Sequence, residues 1–338
     1  MTKPVLAASF AIALSMAGPA LAQTNLTVAN WLPPSHPLVS QLIVPMTEAI
    51  SDATQGEVTA TLLPAPLGPP QAHFDFAVNG VADITFGVQG YNPGRFKTTN
   101  VVELPFLGDS AEDISVAYWR VWEKMLKPAG EYDQVKVLAV FGHGPGQVFL
   151  KGGDVSGADA LKGRKIRVGG GIVHEVVSAL GAVPVEGPSS KSYELLSQGV
   201  ADGITFPYES VAFFKLIDQL TDAINVPGGL FNTSFYIVMN KAKWDSLSPE
   251  VQAQIDSVTG EALARQAGQM WDMADRDGRA AMEGQIAIAD ASDAQIAAWT
   301  EALQPLVDAK LAEASEAGID GQAAYNMLKS EISAEASK

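Results

Sequence analysis

Apolar positions along this chain follow a repeating order. Residues 26–31 read as a strand, and 38–50 as an amphipathic helix with Leu38, Leu42, Ile43, Met46 and Ile50 on one stripe. Residues 56–63 read as a second strand, 71–79 as a short helix stopped by Gly80, and 82–86 as a third strand. The same β-α-β-α-β order returns later: strand 165–168, helix 172–180, strand 182–185, helix 191–198, strand 204–206. Even the closing words agree, Gly80-Val81-Ala82-Asp83-Ile84-Thr85-Phe86 against Gly199-Val200-Ala201-Asp202-Gly203-Ile204-Thr205-Phe206, with one glycine inserted. Agreement in wording and order predicts two related α/β lobes. Ligands of open α/β sheets sit beyond the carboxyl ends of the strands. Trp31 and Arg167 to Gly169, at the ends of the two first strands, are therefore expected across one cleft.

The pattern past the repeat predicts a short helix at 211–216, a turn at 227–229 and a strand at 235–240. Ser248-Pro249 opens a helical pattern with no firm stop until about Gly284, long enough to lie across both lobes. Two further helices are expected at 292–317 and 323–333. The predicted division is lobe I at 23–146 plus about 232–275 and lobe II at 147–231 plus about 276–338.

The N-terminus changes the picture of where this happens. Lys3, an apolar run over 5–16 and Ala20-Leu21-Ala22 form a secretory signal peptide, with cleavage expected after Ala22. The run is too short to span a bilayer, so an exported chain that is not membrane-embedded is expected. The 338 residues carry a formal charge of −16, which excludes nucleic acid as a partner. Any anion site must then be locally positive. With no cysteine in the chain, disulfides, thiolate metal sites and cysteine nucleophiles are also excluded.

Candidate chemistry centres on Arg167. Strand alternation sends Arg167 to the face opposite Ile166 and Val168. Its planar fork suits a carboxylate, and Gly169-Gly170-Gly171 lets backbone amides and a helix N-terminus approach the same anion. His174 stands where the third glycine of a dinucleotide fingerprint would be, so no nucleotide cofactor is expected. His36, His73, His143 and His174 lack metal-ligand spacing and read mostly as loop or surface residues. No Gly-x-Ser-x-Gly elbow and no spaced carboxylate pair appears, so no enzyme is expected. Glu103 and Glu209 read as buried acceptors or supports for Arg167. Trp31, Tyr91, Phe106, Phe206, Tyr208, Phe231 and Tyr236 stand at or beside strand ends, whereas Trp271 reads as core.

Leu161-Lys162-Gly163-Arg164-Lys165-Ile166-Arg167-Val168, Ala179-Leu180-Gly181-Ala182 and Gln198-Gly199-Val200-Ala201-Asp202-Gly203 resemble the periplasmic solute-binding proteins of TRAP transporters, the C4-dicarboxylate-binding type. The resemblance covers essentially the whole chain after residue 22. It implies a two-lobed periplasmic binding protein fold, each lobe a sheet flanked by helices, with a long helix spanning both. It also implies that Arg167 grips a ligand carboxylate and that integral-membrane subunits of a TRAP transporter are the partners. Two positions depart from the family: Phe206 precedes Pro207 where asparagine is frequent, and Gly146 stands where many members carry a second arginine. Both changes make the pocket less polar and point to a small organic monocarboxylate with an apolar or aromatic body, or an onium zwitterion. The candidate ligand-binding set is Arg167, Trp31, Gln89, Tyr91, Phe106, His143, Gly169, Phe206, Tyr208, Glu209, Phe231 and Asn232, with no cofactor and a monomeric chain. An exported hydrolase using His143 or His174, or a sensor-type binding protein feeding a receptor, are the alternatives.

Overall fold

The structure is a computed structural model that describes residues 23–338. The expected signal peptide lies outside the described residues. In chain order the strands are β1 Thr24–Val28, β2 Val58–Leu62, β3 Ile84–Val88, β4 Val135–Gly142, β5 Gln147–Leu150, β6 Lys165–Val168, β7 Val183–Glu186, β8 Gly203–Phe206, β9 Asp222–Asn225, β10 Ser234–Asn240 and β11 Ala287–Asp290. The helices are α1 Val44–Ala53, α2 His73–Val78, α3 Ala111–Val121, α4 Ile172–Ala179, α5 Ser192–Ser197, α6 Tyr208–Phe213, α7 Lys241–Asp245, α8 Pro249–Val258, α9 Glu261–Ala281, α10 Asp293–Glu316 and α11 Gly321–Glu335.

The strands form two sheets, ordered β2-β1-β3-β10-β4 and β11-β9-β5-β8-β6-β7. The repeat read from the sequence is visible in them: β2-β1-β3 and β7-β6-β8 are parallel triplets in the same order. Next to each triplet runs one antiparallel strand, β10 against β3 and β5 against β8. The chain leaves the first sheet at the end of β4, enters the second as β5, and returns between β9 and β10. Two short crossovers therefore join the lobes, and both border the space between the sheets.

A third connection is α9, which packs on α3 beside the first sheet and on α6 beside the second. Two glycines allow these approaches. A Cβ on Gly268 would lie 2.3 Å from Glu112 Cα, and one on Gly278 would lie 2.6 Å from the Glu209 nitrogen. Carboxylates of α9 then take up the free N–H groups of the helices it meets. Asp272 accepts from the Ala111 and Glu112 nitrogens at 2.6 and 3.1 Å, and Asp275 accepts from the Glu209 nitrogen at 2.8 Å.

Three of the differences from expectation have a plain physical reason. The helical pattern from Pro249 is two helices, because Gly260 turns the backbone (φ +65°) and gives its N–H to Leu138 O at 2.7 Å. The spanning helix is thus α9 alone. β4 is fully apolar except Lys136 and buried on both faces, so it lacks the alternation that marks a strand. Finally, α11 packs on α3 rather than beside the second sheet. Leu328 and Ile332 are buried, and Arg120 pairs with Glu331 at 2.9 Å and Glu335 at 2.7 Å.

Candidate ligand-binding site

Arg167 sits on β6, hydrogen-bonded between β7 and β8, and only 1% of it is exposed. Its Nε and Nη2 donate to Gly187 O at 3.1 and 2.6 Å. The Phe206 ring lies over the guanidinium, 4.4 Å from its carbon, and Phe214 stacks against Phe206 at 5.9 Å. No described residue makes an ion pair with Arg167, and the Tyr91 hydroxyl is a side-chain acceptor beside it. Burial lowers its pKa to about 10, so it stays charged at neutral pH. A buried cation without a counter-charge is costly, and an incoming anion would remove that cost.

Arg167 faces a cavity between the two sheets. From the first lobe, Trp31 and Tyr91 form one wall in an edge contact at 5.9 Å, with the Trp31 N–H held by Phe86 O at 3.1 Å. From the second come Gly169, Val173, Phe206 and Phe214. The crossovers supply His143 and Phe231, β10 supplies Phe235, and α9 supplies Trp271. At Gly146 a Cβ would lie 2.3 Å from the Phe231 ring, so this ring occupies the space a side chain at 146 would need. Among the described residues on the wall, Arg167 is the sole arginine or lysine.

The lobes meet around this cavity through backbone. A Cβ on Gly90 would lie 3.0 Å from Gly170 O, and one on Gly170 would lie 2.8 Å from Gly90 O. Tyr91 Oη accepts from the Ser189 nitrogen at 3.0 Å. Glu103 Oε2 accepts from the Ile172 nitrogen, the first of α4, at 3.4 Å, while Oε1 accepts from the Ser234 nitrogen at 3.0 Å. Burial raises the Glu103 pKa and these bonds oppose the rise. Glu103 and Glu209 are buried acceptors, one of the two roles read for them, and neither supports Arg167: Glu103 is drawn to the N-terminus of α4 instead.

Of the expected set, Trp31, Tyr91, His143, Arg167, Gly169, Phe206 and Phe231 line the cavity. The others lie elsewhere. Gln89 donates to Tyr118 Oη at 2.7 Å inside the first lobe, and Phe106 sits against Gly228 on another face. Tyr208 donates to Asn225 at 2.9 Å, and Asn232 lies behind His143, donating to its carbonyl at 3.2 Å. Glu209 is buried behind Ser210, whose hydroxyl donates to it at 2.7 Å. Tyr236 packs in the first lobe's core against Phe74. Trp271 and His36 are cavity residues that sequence reasoning put elsewhere, since helical apolar spacing and a lone histidine in a loop carry no sign of a pocket.

His36 and His73 are buried, contrary to the surface reading, and so is His143, the candidate ligand residue; His174 is partly exposed and paired with Glu186 at 2.7 Å. Burial lowers the pKa values of His36, His73 and His143 from 6.5 to about 3, about 4 and about 4 respectively. It pushes Glu209 up to about 8 and Asp275 up to about 7. His36 Nε2 and Glu209 Oε1 approach to 3.6 Å without a hydrogen bond, so burial keeps both neutral. The unfolded histidines bind more protons than the folded ones below about pH 6.5, so stability falls as the medium acidifies. The two carboxyls bind more protons folded than unfolded, so stability also falls as pH rises towards about 8. Maximum stability is expected between about pH 6 and 7. Glu209→Gln should gain about 2 kcal/mol on wild type between about pH 6 and 9 in thermal melts, and a constant difference would mean Glu209 is ionised in the fold.

The sequence profile of the bacterial extracellular solute-binding proteins, family 7, matches residues 28–314. This chain belongs to that family. A TRAP periplasmic solute-binding protein from Bordetella bronchiseptica, solved with (R)- and (S)-mandelate bound, is 40% identical over 92% of this chain and 99% of its own, with a TM-score of 0.89. Another, from Rhodoferax ferrireducens with copurified benzoate, is 26% identical over 93% of this chain and 99% of its own, with a TM-score of 0.86. The outer membrane transporter protein TsaT of Comamonas testosteroni is 31% identical over 93% of each chain. Proteins of this family are periplasmic and bind solutes. Among the described residues no helix is long and apolar enough to cross a membrane.

Proposed function

We propose that this protein captures an aromatic monocarboxylate between its lobes and delivers it to the membrane subunits of a TRAP transporter. The observation that carries the reading is a single buried guanidinium without a counter-ion, facing a cavity walled by Trp31, Tyr91, Phe206, Phe231 and Trp271. One cation matches one carboxylate. The Phe231 ring beside Gly146 leaves no room for a second, which disfavours dicarboxylates. The mandelate and benzoate bound by the two solved relatives support the same ligand class. Arg167 grips the carboxylate, Gly169 lies beside it, and the aromatic walls take the ring.

Ligand contacts to both lobes favour the closed form, the crossovers at 143–146 and 226–233 acting as hinges. In this scheme lobe I comprises 23–146 and about 232–275, and α11 joins it from the C-terminal segment. The exported chain, cleaved after Ala22, works as a monomer. Calorimetry with benzoate and mandelate against succinate and glucuronate tests the reading. The aromatic acids are expected to bind at least about tenfold tighter, and mass spectrometry is expected to recover them unchanged. A response to succinate alone would overturn it.

A further inference from the structure

We infer that His143 selects aromatic acids bearing a hydroxyl on or next to the ring, by accepting that hydroxyl's hydrogen bond at Nε2. The inference deepens the proposed function and rests on it. His143 follows β4 at the first crossover, where its backbone N–H donates to Thr233 O at 3.2 Å and its carbonyl accepts from Asn232 Nδ2. Its ring is wedged among Phe231, Phe235 and Trp271, with centroids 5.8, 6.2 and 6.0 Å away, so its orientation is set by packing. Nδ1 lies against Gly144 O. A carbonyl can only accept, so Nδ1 must carry the ring proton, and in a neutral imidazole that leaves Nε2 a lone pair. Burial keeps the ring neutral at working pH.

Nε2 has no partner among the described residues, nor is it one of the sealed polar atoms, and the ring lines the cavity. It is therefore an acceptor open to the ligand. Other polar groups on the wall are engaged: Arg167 only donates, the Trp31 N–H is held by Phe86 O, the Thr205 hydroxyl donates to Arg167 O, Tyr91 Oη accepts from the Ser189 nitrogen, and Glu103 accepts from the Ile172 and Ser234 nitrogens. A ligand hydroxyl reaching His143 completes a buried acceptor, whereas an unsubstituted ring leaves it unpaired, and such a mismatch discriminates strongly.

The test compares two pairs by calorimetry: 3-hydroxybenzoate with benzoate, and mandelate with phenylacetate. Wild type is expected to prefer the hydroxylated member of at least one pair by about 3- to 10-fold. His143→Phe, which keeps an aromatic ring but has no acceptor, should bring that ratio close to one, and His143→Gln, whose amide oxygen can accept, should restore part of it. No preference in wild type, or an unchanged ratio in His143→Phe, overturns the role of His143 while leaving the aromatic-acid reading in place. Failure of all four acids to bind overturns both.

Discussion

Arg167→Met lowers the affinity for benzoate by about two to four orders of magnitude and leaves a folded protein. Each hydrogen bond to a charged partner contributes about 1.5–3 kcal/mol net, and a carboxylate against this guanidinium takes two. The fold survives because two effects oppose each other. Methionine loses the bonds to Gly187 O and the contact with Phe206, but it also removes a buried cation that no described residue neutralises. Calorimetry and circular dichroism on the same preparation decide the matter. A folded mutant that binds benzoate as tightly as wild type would remove Arg167 from the site.

Gly90→Val weakens binding about 10- to 100-fold although Gly90 does not itself line the cavity. Gly90 meets Gly170 across the lobes, and backbone atoms there cannot move aside as a side-chain tip can. Overpacking of this kind costs about 1–3 kcal/mol, and the cost falls on closure because each lobe folds without the contact. Small-angle scattering with saturating ligand should show a larger radius of gyration than wild type. Wild-type affinity and compaction in the mutant would show that the Gly90–Gly170 approach is not what closes the cleft.

How much of this was legible in the sequence depends on how local the signal is. The triplets β2-β1-β3 and β7-β6-β8 were readable because each strand is bounded by turn residues and alternates with an amphipathic helix. β4 was not, since a strand buried on both faces has no alternation to show. Gly260 inside the pattern from Pro249 is also ambiguous in sequence: only the Trp119 ring, 3.0 Å from where its Cβ would be, and the Leu138 carbonyl make it a break. For the site, Arg167 with its glycine run was visible, and so were Trp31 and Tyr91 at strand ends. Trp271 was not, because an apolar residue on a helix looks the same whether it faces core or cavity.

Local order along the chain, then, determined the repeat, the position of Arg167 on a strand, the absence of thiol chemistry and the lack of a second arginine at 146. The tertiary structure decided which groups share one space. It turned Glu103 towards α4 and Glu209 away from the cavity, brought Trp271 to the wall, and set Phe206 over the guanidinium. The physical reason is that periodicity reports which face of an element is buried, whereas partners across a cleft are chosen by the docking of α9 and the two crossovers, whose contacts join residues far apart in the chain.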